Sequence, residues 1–240
     1  MKHTAPADPR GRAAIRRLML LVIASTAATS LLVGLAVARA LPHIDTHSVF
    51  ARAAGVTAYV LLVLVVLTGL VLAHPWAARL RRPSPSTRIR LHVTLAVTTL
   101  AFTLVHLLMW ATDTTGGVGW WGALVPWGSA YRPLHVSLGV LGLYAGVLAG
   151  VTASMAGRVA GRIWWPVHKV AVVALVLVWV HTLGGLDARA LWPLYLATGL
   201  LVVVVGTSRQ LATRHRDRAN VMADVAAREL VRSRPRTWRP

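Results

Sequence analysis

The chain has 240 residues, 56% hydrophobic and only 14% charged, and its apolar runs reach the ~18–20 residues that cross a ~30 Å hydrocarbon core. That excludes a soluble domain and predicts an all-α, polytopic membrane bundle. Cysteine is absent, which removes disulfides, thiolate metal sites and thiol chemistry. The formal charge of +19 raises nucleic acid as a partner, but the placement of the basic residues points to a membrane instead.

In chain order, a basic arm (1–17) carries Lys2, Arg10, Arg12, Arg16 and Arg17, and six transmembrane helices follow at 18–38, 55–73, 91–112, 133–155, 167–184 and 190–207. A competing reading takes residues 1–40 as a signal peptide ending in "ARA". Its apolar stretch, about 20 residues, exceeds the ~7–15 of a signal core, and cleavage would leave five spans. The loop at 74–90 is basic and proline-broken ("RRPSPSTR"). The loop "DTTGGVGWWGALVPWGSAYRP" (113–133) is rich in glycine and tryptophan, suiting an aromatic belt at the outer headgroups, with Trp164 and Trp165 at the inner ones. The basic tail, 208–240, is either a surface helix or disordered beyond Arg232. With the N-terminus cytoplasmic, 22 of the 26 Lys and Arg residues fall inside, leaving Arg39, Arg52, Arg132 and Arg189 outside. This asymmetry predicts that both termini are cytoplasmic, in a multi-pass plasma-membrane protein. Attraction to anionic membrane lipid follows from the same charge, and nucleic acid is not expected. The 18–207 bundle leaves no second domain, and neither a P-loop nor a GxGxxG after a strand occurs, so any nucleotide or flavin domain is expected on another polypeptide.

Residues 92–106 read "HVTLAVTTLAFTLVH" and 168–181 read "HKVAVVALVLVWVH". Ionisable residues inside a bilayer are rare and mark pathways or cofactors, although a lone membrane histidine is more often an interhelical hydrogen-bonding residue. His92 and His106 are 14 residues apart on the third span, about 21 Å, while His168 and His181 are 13 apart on the fifth, about 19.5 Å. Both spans run from inside to outside, so His92 meets His168 at one depth and His106 meets His181 at another. Two stacked haems with axial imidazoles suit that ladder and would carry electrons across lipid. Azimuth is the open point. At ~100° per residue, 14 residues bring the third span's histidines within some 40° of each other, but 13 leave the fifth span's nearly opposite. That span must tilt, distort, or offer its histidines at different azimuths.

These residues and their surroundings resemble the ferric reductase-like transmembrane domain, a superfamily that includes ferric reductases, the membrane half of NADPH oxidases, and the haem subunit of a bacterial methionine-sulfoxide reductase system. The H-x13-H and H-x12-H spacings match the family's haem ligands. "ARAAGVTAYVLL" (51–62), "LVPWGSAYRPLHVSLGVLGLY" (124–144) and "VTASMAGRVAGRIWWPVHKV" (151–170) resemble its flanking passages, so the likeness covers about 45–207. The resemblance implies two b haems, an inner one on His92 and His168 and an outer one on His106 and His181, with Arg52 near a propionate. Read without it, Arg52 is an interfacial cation snorkelling at a span end. NADPH oxidases carry flavin and nicotinamide domains behind their last span, where this chain has a tail of 33 residues; they also place a histidine where this chain has Trp110. Outward electron transfer is therefore expected over superoxide production.

The expected function is a di-haem b-type conduit passing electrons from a cytoplasmic-side donor to an external acceptor such as ferric iron. The alternative is a haem-binding subunit of a partner oxidoreductase, fed by quinol or by a separate flavoprotein that supplies the flavin. A proton-relaying transporter is a third reading, disfavoured because all seven acidic residues fall in loops and tails. His135 is a substitute outer ligand, a proton acceptor, or a packed or interfacial residue, and His74 is read as interfacial. His43, Asp45 and His47 ("HIDTH") form either a solvated loop or a landing site for Fe or Cu ions. Trp179, near His181, faces lipid or a neighbouring helix.

Overall fold

The structure, a computed structural model, describes residues 45–80, 83–113, 116–154, 166–184 and 188–233, with scattered positions between 13 and 39. The first predicted span, the basic arm, His43, the 155–165 stretch with Trp164 and Trp165, and the last seven residues lie wholly or largely outside that description. Among the described residues the secondary structure is helical, with no strand. Among the described residues five helices are long and apolar enough to cross a membrane, and they correspond to the second through sixth predicted spans.

Helix α1 (Thr46–Leu72) starts where the Asp45 side chain accepts a hydrogen bond from Ser48 N at 3.2 Å, an N-cap that satisfies an otherwise orphaned amide. A 3-10 turn (Pro75–Arg79) follows, capped by His74. Helix α2 (Pro85–Thr112) starts six residues before the apolar run, because Ser84 caps it and Pro85 fills its first position. The tryptophan-rich loop contains a short helix, α3 (Gly119–Leu124), and Trp120, Trp121 and Trp127 are exposed. That loop is fastened to α4 (Pro133–Ser154). Trp127, at φ 61°, is in the left-handed region that side chains avoid, and its amide donates to Ser137 Oγ at 2.6 Å. The Tyr144 hydroxyl donates to the Leu124 carbonyl.

Helix α5 (Val170–Leu183) is preceded by a helical turn from Pro166. Helix α6 (Ala188–Ser233) carries the sixth span on into the tail as one 46-residue helix. Between 207 and 233 there is neither glycine nor proline, and Ala, Arg and Leu, all good helix formers, recur there. Nothing in that stretch stops the helix at the membrane face.

Packing sorts the helices into two pairs, α1 along α2 and α4 along α5. Tyr59, Val63 and Val66 of α1, Leu175 of α5 and Tyr195 of α6 form the largest buried cluster. The Tyr59 hydroxyl lies 2.6 Å from Thr198 Oγ1, and its ring meets Tyr195 edge-on at 4.9 Å. Trp179 Nε1 donates to the Tyr195 carbonyl at 3.0 Å, so of the two expected surroundings for Trp179 the neighbouring helix holds. Buried Thr94, Thr98 and Thr99 donate to carbonyls four residues back, which keeps their hydroxyls satisfied without water. By contrast α2 and α5, the two helices with the histidine ladder, scarcely approach each other.

Candidate functional site

Across the gap between α2 and the α5 segment, the histidines meet in the pairs that their depths predict. The rings of His92 and His168 have centroids 6.2 Å apart and planes at 73°. Those of His106 and His181 are 6.3 Å apart at 82°. A metal–imidazole bond is ~2.0–2.1 Å, taking the zinc value, and a ring nitrogen lies about 1.1 Å from its centroid. Two imidazoles gripping one ion from opposite sides would therefore stand about 6.2–6.4 Å apart, the spacing found twice. Among the described residues no group of three or more His, Cys, Asp or Glu gathers to hold a bare ion. A pair of imidazoles is instead the protein's share when a porphyrin fills the equatorial positions.

Each ring is fixed from behind through Nδ1. His106 Nδ1 donates to the Ala51 carbonyl at 2.7 Å, His181 Nδ1 to the His135 carbonyl at 2.6 Å, and His168 Nδ1 to the Ala149 carbonyl at 3.2 Å. His92 Nδ1 lies 3.0 Å from Thr68 Oγ1. That hydroxyl donates to the Val65 carbonyl, so its oxygen accepts from the imidazole. Carbonyls only accept; the proton is thus on Nδ1 in all four rings, and the lone pair is on Nε2. This is the outer-shell arrangement that orients a metal-ligating histidine.

Glycines make room for three of the rings. A Cβ at Gly55 would lie 2.6 Å from His106 Nδ1, one at Gly139 would lie 2.9 Å from the His181 ring, and one at Gly69 would lie 3.2 Å from His92 Cε1. Gly55, Gly69, Gly139 and Thr68 are site residues that the sequence reading missed. Their only linear signal is that they are small, and small residues are common in membrane helices for other reasons.

The fifth span is distorted near its start. Lys169 N donates to the Pro166 carbonyl at 3.2 Å, and Val172 N to the Lys169 carbonyl at 3.0 Å. Both are three-residue bonds, and residues wound at three per turn advance ~120° rather than ~100°. Each such residue adds ~20°, in the sense that narrows the angle between His168 and His181.

The lesser candidates separate. Arg52 is half-buried and follows Ala51, whose carbonyl holds His106, so it stands at the level of that pair. The Trp110 ring lies 6.5 Å from His106. His135 is packed: its ring presses on Gly184 so closely that a Cβ there would overlap it. His74 is buried and accepts from Trp76 N at 3.4 Å. His47 sits in the first turn of α1 with Nε2 donating to the Met109 carbonyl at 2.5 Å; it is a fastener between α1 and α2, and not a solvated loop residue.

Comparison with curated proteins and with solved structures returns no match. A family model, ferric reductase like transmembrane component, matches residues 54–179, just over half of the chain. The match takes in His92, His106 and His168 and ends two residues before His181. The chain is thus a multi-pass membrane protein of electron transfer and belongs to the family of ferric reductase-like transmembrane components.

Proposed function

We propose that the chain is a di-haem b-type conduit that passes electrons across the plasma membrane, with both termini cytoplasmic. The observation that carries this reading is the twice-repeated histidine pair, at 6.2 and 6.3 Å, with every Nδ1 proton engaged. His92 and His168 hold the inner haem, and His106 and His181 the outer one. Bound haem supplies a one-electron redox centre at each level. The chain's own residues hold the two levels apart, along ~21 Å of α2. Arg52 offers a cation at the outer level for charge-assisted bonding to a carboxylate. The donor is cytoplasmic, a separate flavoprotein or membrane quinol, and the acceptor external, ferric iron or a partner oxidoreductase.

A reduced-minus-oxidised optical spectrum of the purified chain, with a count of haem per protein, tests the reading. Two haems per chain are expected. His92→Ala and His168→Ala should each remove one and the same haem, and His106→Ala and His181→Ala the other. A chain without haem after expression with haem supplied, or losses that pair differently, would overturn it. If the chain is instead a subunit of a partner oxidoreductase, the same spectrum appears and a stable complex co-purifies.

A further inference from the structure

Among the described residues, two buried side-chain nitrogens lack any hydrogen-bond partner: Arg88 Nε and His135 Nδ1. Such groups are uncommon in folded proteins, and each calls for a missing partner. Their placement is not scattered, since one accompanies each histidine pair. Arg88 is one helical turn before His92 on α2, a spacing that puts two residues on one face. Its Nη1 donates to the Ala77 carbonyl at 2.9 Å, which anchors one arm of the guanidinium on the 3-10 turn. The edge that carries Nε remains for another acceptor. His135 lends its backbone carbonyl to His181, and its ring is pressed against Gly184 at the end of α5.

We propose that these two nitrogens are the donors for haem carboxylates: Arg88 anchors a propionate of the haem on His92 and His168, and His135 one of the haem on His106 and His181. The proposal rests on the haem reading above and deepens it. The chemistry is specific. A planar guanidinium edge suits a carboxylate, and a hydrogen bond to a charged acceptor is stronger than a neutral one. An apolar ligand would leave both nitrogens orphaned, and a bare cation could not satisfy the donor-only Arg88 Nε.

The test alters the ligand as well as the protein. Apoprotein in detergent is titrated with haem b and with its dimethyl ester, in which both propionates are masked, and binding is read from the Soret absorbance. A His106→Ala background isolates the first site and a His92→Ala background the second. The unaltered site should prefer haem b over the ester by about ten- to hundred-fold, the range of a hydrogen bond to a charged group. Arg88→Gln retains an amide donor for Ala77 and should erase that preference at the first site alone. His135→Phe keeps a ring over Gly184 and should reduce it about ten-fold or more at the second site alone, where Arg52 remains. Survival of the preference in both variants would overturn the assignment while leaving the haem reading intact. Failure of the full chain to bind either ligand would overturn both.

Discussion

At the scale of single residues, the histidine pairs depend on groups that lie outside the gap between the rings. Thr68 is the clearest, because its hydroxyl both donates to Val65 and accepts from His92. Thr68→Val keeps the shape and takes the hydroxyl acceptor away from the His92 Nδ1 proton. Loss of such an outer-shell bond costs about 10–100-fold in metal affinity. Haem titration should show that weakening for the His92/His168 site, with the other unchanged; equal affinities would mean that the threonine does not set the ring. The glycines give a sharper test. A Cβ at Gly55 or Gly139 would enter the His106 or His181 ring at 2.6 or 2.9 Å, distances that require the ring to move. Gly55→Ala and Gly139→Ala should each lower haem per protein from two to one. Gly69→Ala, at 3.2 Å from His92, should be milder. Two haems retained in all three variants would show that the rings have slack.

At the scale of helices, α1 is the element to which the others are referred, since it packs on α2, α5 and α6 together. Its polar tie to α6 runs through the Tyr59 and Thr198 hydroxyls, 2.6 Å apart. Interhelical hydrogen bonds in membranes average ~0.6 kcal/mol, so Thr198→Val should lower the unfolding temperature modestly and leave any haem spectrum unaltered. A large loss of haem would mean instead that this tie positions α5. The spans of α1, α2, α4 and α5 were legible because apolar length is a one-dimensional property. Their ends were less so: α2 begins at its Ser84 cap rather than at the first apolar residue, and α6 runs past the membrane length for want of a breaker. The four histidines were legible because a bilayer makes them conspicuous. Their holders were not. The carbonyls of Ala51, Ala149 and His135 leave no mark on a sequence, and Gly139 acquires meaning only when α4 is set in register against α5. The two three-residue bonds around Lys169, which an ideal helix omits, leave no mark either.

At the scale of the whole molecule, direction is what makes a ladder of two histidine pairs useful, and direction follows from topology. The tryptophan loop, joined to the end of α2 and the start of α4, is on the His106/His181 side; the tail of α6 continues from the opposite side, five spans after the start of α1. The positive-inside rule predicts a cytoplasmic basic tail, and with it a tryptophan loop that faces outward. Absence of cysteine makes this testable without background labelling. Ala130 in the tryptophan loop and Ala223 in the tail are both exposed. A membrane-impermeant maleimide applied to intact cells should label Ala130→Cys, and should label Ala223→Cys only once the membrane is opened. The reverse pattern would turn the molecule over, and with it the order of the two pairs: His106 and His181 would then meet the cytoplasmic donor, and the electrons proposed to leave at that level would have to enter there. The labelling result therefore decides which histidine pair can receive an electron first, before any donor or acceptor is known.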